Sequence, residues 1–225
     1  MSITSMILGE SGTGKTTALR NFDPAKTLLI QAVRKPLPFR AADWKTLGPN
    51  SPGNVYHSDN SAEIVKAMQR TSKDVIVLDD YQYVLSNEFM RRVTDQEKGN
   101  AAFQKYNEIA RSAWDVLMAA ADLPEQKRVY ILSHTTTDEF GSTKIKTIGK
   151  LLDDKIVLEG LVTVVLRSMR RDGEYVFSTK NSGSDTTKSP MGMFEADYIP
   201  NDLAAVDAVI CDYYQIPTTT QLKAA

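Results

Sequence analysis

Apolar positions along this chain follow two rhythms. Apolar-rich runs at residues 3–8, 27–33, 74–80 and 129–133 read as buried strands, and the four consecutive apolar residues 75–78 suit a parallel strand covered on both faces. Val55-Tyr56-His57 reads as a further short strand. Between the runs stand segments of helical period at 15–22, 60–70, 101–121 and 201–214. In the second of these, Asn60 and Glu63 have capping-box spacing, with Ile64, Ala67 and Met68 on one face. Two later runs, 161–168 and 175–179, flank Asp172-Gly173 and predict a β-hairpin near the C-terminus. The stretch 35–39, Lys-Pro-Leu-Pro-Phe, is extended, since its prolines forbid helix. Residues 40–52 and 81–99 have no clear period, and 135–150 reads as a mobile polar loop. Alternating strands and helices of this kind predict an α/β fold with a mainly parallel sheet and crossover helices. The expected organisation is one domain over residues 1–215 and a flexible tail over 216–225.

Composition changes little in this picture. Of 225 residues, 42% are apolar and 24% charged, as in an ordinary globular domain. A net charge of −1 gives no general attraction to nucleic acid, so any such contact must be local. The single cysteine, Cys211, excludes an internal disulfide and a cysteine-built metal site, and its apolar surroundings make it a buried thiol. No secretory signal and no apolar stretch of about 20 residues is present. The expectation is a cytoplasmic protein without a membrane partner, in the host cytoplasm if phage-encoded.

The chemistry begins at Gly9-Glu10-Ser11-Gly12-Thr13-Gly14-Lys15-Thr16, a complete P-loop pattern lying between an apolar strand and a helical segment. Its glycines let successive N–H groups face a phosphate, and the following helix turns its positive end to the same place. Lys15 is the candidate for the β- and γ-phosphates, Thr16 for Mg²⁺ and Thr17 for the α-phosphate. ATP with Mg²⁺ is the expected ligand; no guanine-reading Asn-Lys-x-Asp motif occurs. Such a site needs a carboxylate at a neighbouring strand end to hold the metal, and Asp79 has that place. Asp80 is a candidate for orienting water or for capping the next segment. His134 follows the run 129–133 and is placed, with Ser133, to sense the γ-phosphate.

With these landmarks in place, the sequence resembles the RecA-like P-loop ATPases, in particular the small phage-type, Sak-type members linked to single-strand annealing and recombination. The resemblance rests on residues 9–16, on Lys35-Pro36-Leu37-Pro38-Phe39, on Asp79-Asp80-Tyr81, on Ser133-His134-Thr135, and on residues 177–194 with Lys188-Ser189-Pro190-Met191-Gly192-Met193-Phe194. It implies a RecA-like core that hydrolyses ATP and assembles on single-stranded DNA as a homo-oligomer, with nucleotide at the protomer interface. DNA-facing loops would then hold Phe89, Arg91 and Arg92 in one case and Lys144, Lys146 and Lys150 in the other, cations beside an aromatic being suited to tracking a backbone and stacking bases. Lys180 and Lys188 would reach a neighbour's phosphates in trans. The stretch Gln31-Ala32-Val33-Arg34 departs from the family pattern, for it lacks the water-activating glutamate expected after the second core strand.

Three functions follow in order. The first is a DNA-dependent ATPase that promotes annealing or recombination. The second is a nucleotide-gated DNA-binding or loading module with negligible hydrolysis, which the absent glutamate favours. A nucleotide-kinase-type phosphotransferase is the third, with Met169-Arg170-Arg171-Asp172-Gly173 as its only candidate lid.

Overall fold

Consecutive apolar residues in one strand alternate between the two faces of a sheet, and here both faces are covered. The computed structural model describes residues 1–48, 51–94, 100–149 and 151–217, with the side chains of 100–103 left aside. In chain order the elements are β1 (Ile3–Leu8), β2 (Thr27–Gln31), β3 (Val55–His57), α1 (Ser61–Arg70), β4 (Val75–Asp79), α2 (Gln82–Arg91), α3 (Asn100–Ala121), β5 (Arg128–Ser133), β6 (Thr135–Thr137), β7 (Thr143–Ile145), β8 (Val164–Arg171), β9 (Glu174–Ser178), β10 (Tyr198–Pro200) and α4 (Leu203–Tyr213). Eight of the strands form one sheet in the order β10-β9-β8-β1-β5-β4-β2-β3. Its pairings are parallel from β8 through to β3, and antiparallel where β9 meets β8 and β10.

Met6, Leu8, Ile30, Ile76 and Leu78 face a layer that contains Ile64 and Met68 of α1 and Ile109, Ala113 and Val116 of α3. Ile7, Leu29, Val75, Val77, Tyr130 and Leu132 face the other layer, with Ala18, Leu19 and Phe22 beside Val206 and Ile210 of α4. Burial on both sides is what the apolar-rich runs encoded. α1 starts as its capping spacing predicts, with the Asn60 side chain accepting from the Glu63 N–H at 3.1 Å.

Several elements differ from the sequence expectation. The segment after the P-loop is a 3₁₀ helix over Thr16–Asn21, not an α-helix over 15–22. The aperiodic stretch after Asp80 contains α2, whose buried Val84 and Leu85 pack under the fully buried Tyr81. The supposed mobile loop 135–150 contains the antiparallel pair β6–β7, turned by Asp138, whose side chain accepts from the N–H groups of Phe140 (2.9 Å) and Ser142 (2.8 Å). β10 is an additional strand beside β9. Ile216, assigned to the flexible tail, is buried, and its N–H donates to the Cys211 carbonyl at 2.9 Å. Residues 218–225 of that tail lie outside the described residues.

Candidate nucleotide site

Because the inner strands run parallel, β1, β2, β4 and β5 deliver their C-terminal ends to one edge of the sheet. The loop 9–16 leaves β1 at that edge. Gly9 donates its N–H to the Ser133 carbonyl at 3.2 Å, and a Cβ on it would stand 2.5 Å from the Ser168 carbonyl oxygen, so no other residue fits. Gly12 (φ 80°) and Gly14 (φ 93°) take the left-handed conformation that turns the loop's N–H groups inward. Thr13 Oγ1 donates to the Glu10 carbonyl at 2.9 Å, and Glu10 and Ser11 are exposed on the rim. Lys15 is buried and donates to the carbonyls of Gly9 and Glu10, each at 2.8 Å. Burial lowers its pKa to about 8, against the opposing pull of Asp80 and Asp79.

The acidic wall comes from β4. Thr16 Oγ1 donates to both carboxylate oxygens of Asp79, each at 3.0 Å. Asp79 is 1% exposed, and burial together with the charge of Asp80 raises its pKa. Asp80 follows in the left-handed region (φ 63°), a conformation rare for a residue with a side chain. Its carboxylate is paired with the Lys35 ammonium and lies 3.5 Å from His134 Nε2. Burial pushes Asp80 up, but the hydrogen bonds from His134 and Lys35 outweigh it and hold the acid below the ordinary carboxylate value. Lys35 in turn is lowered by burial and raised more by Asp80 and Asp79, so that its ammonium is held firmly charged. His134 stands at the end of β5, edge-on to Tyr83 with ring centroids 6.0 Å apart. The Ser133 hydroxyl oxygen is buried without a hydrogen-bond partner among the described residues.

These groups surround a cavity of about 420 Å³ lined by Ser11, Gly12, Gly14, Lys15, Thr16, Thr17, Lys35, Pro36, Pro38, Asp80, His134 and Tyr175. Three of its neighbours escape sequence reasoning. Lys35 is carried to the site by the extended Pro36–Pro38 segment, and a lysine just before two prolines at a strand end is the signal that could have found it. Tyr175 leans on Gly14, where a Cβ would come within 3.1 Å of its ring. Asn201 braces the loop from behind. Its Nδ2 donates to Ser168 Oγ at 3.2 Å, Ser168 Oγ donates to the Thr13 carbonyl at 2.7 Å, and Arg20 donates to the Asn201 carbonyl at 2.6 Å. Nothing local in the sequence announces Tyr175 or Asn201.

The residues assigned to DNA are placed less uniformly. Phe89 is not on a mobile loop; it lies in α2, half-buried against Tyr106 of α3 at 5.8 Å. Arg91 pairs with Asp59 (2.8 Å) and Glu88 (3.1 Å), and Arg92 with Glu108 (2.7 Å). Lys144 belongs to β7, not to a loop, while Lys146 follows directly after that strand. Lys144 donates to the Asp153 carbonyl at 3.0 Å, and the Lys146 N–H donates to the His134 carbonyl at 2.8 Å. Lys150 lies outside the described residues. Lys180 pairs with Asp197 at 2.7 Å, and the Lys188 backbone bridges to Val165 beside β8.

A triphosphate and Mg²⁺ fit what is present. Two left-handed glycines, a buried ammonium and a 3₁₀ turn face the cavity, and Thr16 with Asp79 form the kind of oxygen pair that Mg²⁺ takes from a protein while keeping several waters. Among the described residues there is no cluster of three or more His, Cys, Asp or Glu arranged for a metal. No described helix is long and apolar enough to cross a membrane.

No protein-family model and no curated protein matches the chain. Among solved structures it is similar to the genome-packaging NTPase of Sulfolobus turreted icosahedral virus 2, solved with ATP-gammaS, at 8% identity over 76% of each chain and a TM-score of 0.36. It is also similar to the ATPase DotB of Legionella pneumophila, at 12% identity over 81% of this chain and 47% of that one, with a TM-score of 0.37. The site itself is a P-loop at the carboxyl edge of a mainly parallel α/β sheet, with its acidic partner two strands along, at the end of β4 with β5 between.

Proposed function

We propose that this chain is a RecA-like, Mg-ATP-binding P-loop ATPase whose turnover is governed by single-stranded DNA. The observation that carries nucleotide binding is the loop itself: left-handed Gly12 and Gly14, the buried Lys15 ammonium and Thr16, which is hydrogen-bonded to Asp79 behind it, line one cavity. In this reading the loop N–H groups and Lys15 hold the phosphates, Thr16 and Asp79 hold Mg²⁺, and His134 and Asp80 stand where an attacking water must be oriented. Mg²⁺ when bound supplies neutralisation of charge on the phosphate oxygens.

The DNA part is supported by the β6–β7 hairpin. Phe140 at its turn is 87% exposed, Lys144 is on β7, and Lys146 follows just after it. An exposed ring with cations beside it suits stacking and backbone contact. Since β6 starts directly after His134, a ligand on the hairpin has a short path to the phosphate site. The Lys180 and Lys188 contacts in trans, and a homo-oligomer with nucleotide between protomers, complete the proposal.

ATP hydrolysis measured with and without single-stranded DNA, over a salt series, tests it. DNA should raise turnover, and Lys15→Ala should abolish triphosphate binding while leaving the far-ultraviolet spectrum native. Full turnover in Lys15→Ala sinks the nucleotide mechanism. No binding of DNA at low salt and no stimulation sinks the DNA part. One observation favours the loading-module reading: Asp80 is occupied by Lys35, which disfavours it as a base. Tight ATP binding with no phosphate release under either condition would decide for that reading. The phosphotransferase reading loses its lid, because Arg170 and Arg171 belong to β8 and stand over the rings of Tyr175 (5.9 Å) and Tyr198 (4.0 Å).

A further inference from the structure

Lys35 holds a place that the phosphate-loop scheme does not use. It follows β2 on a segment kept extended by Pro36 and Pro38 and packed onto the core by Leu37 and Phe39. Gln31 Nε2 donates to its carbonyl at 3.3 Å. The Lys35 side chain lines the P-loop cavity, opposite the loop that carries Lys15, and also a second cavity of about 460 Å³ that shares Ser11, Asp80 and His134 with the first. Its partner is Asp80, and the two differ in freedom: the lysine side chain is 41% exposed and the carboxylate 4%. The carboxylate is fixed at a left-handed backbone position and keeps His134 as a second neighbour at 3.5 Å. The ammonium, on a long flexible stem, is the member that can move.

We propose that Lys35 senses the terminal phosphate of a bound nucleoside triphosphate, exchanging its ion pair with Asp80 for that phosphate and returning to Asp80 when a diphosphate is bound. The inference rests on the nucleotide reading of the site and goes beyond it by giving the distinction between the two nucleotides to one lysine. A terminal phosphate offers an ammonium more negative charge than a single carboxylate does, with three acceptor oxygens. A diphosphate cradled by the loop N–H groups and Lys15 lacks the group that would draw Lys35 from Asp80. Released from Lys35, Asp80 keeps His134 at 3.5 Å and the field of the Lys15 ammonium. The same exchange therefore sets the state of the carboxylate nearest the reaction.

Dissociation constants for the β,γ-imido analogue of ATP and for ADP, both with Mg²⁺, test this on the full chain, on Lys35→Met, Lys35→Arg and Asp80→Asn. Asparagine tolerates the left-handed backbone at position 80. Lys35→Met should weaken the triphosphate analogue about tenfold or more and change ADP by less than about twofold, the loss of one charge-assisted bond. Lys35→Arg should keep most of the preference because the charge remains. Asp80→Asn should tighten the analogue several-fold, having lost the competing carboxylate. Equal loss for both nucleotides in Lys35→Met, no loss for either, or weaker analogue binding in Asp80→Asn overturns the proposal. Failure of the unaltered chain to bind either nucleotide would instead remove the reading beneath it.

Discussion

Cys211 illustrates how far a single residue's surroundings set its chemistry. It is 4% exposed on α4, with an Asp207 carboxylate oxygen 4.0 Å from its sulfur. Burial and that negative neighbour push the thiol up to about 11, from 9.0 for a free one. A pKa raised on folding means the folded state holds its proton longer than the unfolded state. The thiol's contribution to stability is therefore complete below about pH 9 and is lost as pH rises through about 11. At pH 8 the reactive thiolate is about a hundredfold scarcer than in an ordinary cysteine. Iodoacetamide should accordingly label the folded protein slowly at that pH and the urea-unfolded chain fast; equal rates would contradict the buried placement.

At the scale of elements, α4 is fastened to the sheet by a buried polar group. Arg128, first residue of β5, donates to both Asp207 oxygens at 2.9 and 3.0 Å, and the Tyr130 hydroxyl donates to one of them at 2.6 Å. Asp207→Ala would leave the Arg128 charge unpaired at 8% side-chain exposure, and such losses cost about 3–5 kcal/mol. Urea titration should show that drop, with Tyr130→Phe losing only about 1 kcal/mol. A cost below about 1 kcal/mol for Asp207→Ala would mean that apolar packing alone holds the helix. Elements like α4 were legible because their apolar period is strong. α2 was legible in principle from Tyr81, Val84, Leu85 and Phe89, but the polar Gln82, Ser86, Asn87 and Glu88 between them hid the period. β6 and β7 carry no alternation to read. They are fixed by Asp138 within the turn, by the Ser184 carbonyl accepting from the Thr143 N–H at 2.8 Å, and by Glu159 Oε1 accepting from the Ile145 N–H at 2.8 Å. Contacts that distant in sequence leave no local trace.

For the whole molecule, the same division runs through the site. Spacing alone gave the loop and Asp79, because each sits at a strand end that hydrophobicity marks. Lys35 and Tyr175 reach the cavity, and Asn201 the back of its loop, only through the order of strands in the sheet, which periodicity does not specify. The role in DNA binding proposed for the hairpin yields a prediction at this scale. Lys144→Ala should lower the salt slope of single-strand binding by about 0.7, one phosphate contact, while Phe140→Ala should weaken binding without changing the slope. Identical slopes in both variants and the unaltered chain, with unchanged affinity, would remove the hairpin from the interface.

The brace behind the P-loop has a consequence for how the protein comes into being. β1 and its loop are made well before the groups that hold them, Ser133, Ser168 and Asn201. Until residue 201 has left the ribosome, Gly9 and Thr13 have only part of their support, and long-range pairing of this kind is slow to form. Ligand protection of the nascent chain should therefore begin abruptly, so that nucleotide binding separates chains that have released Asn201 from those that have not.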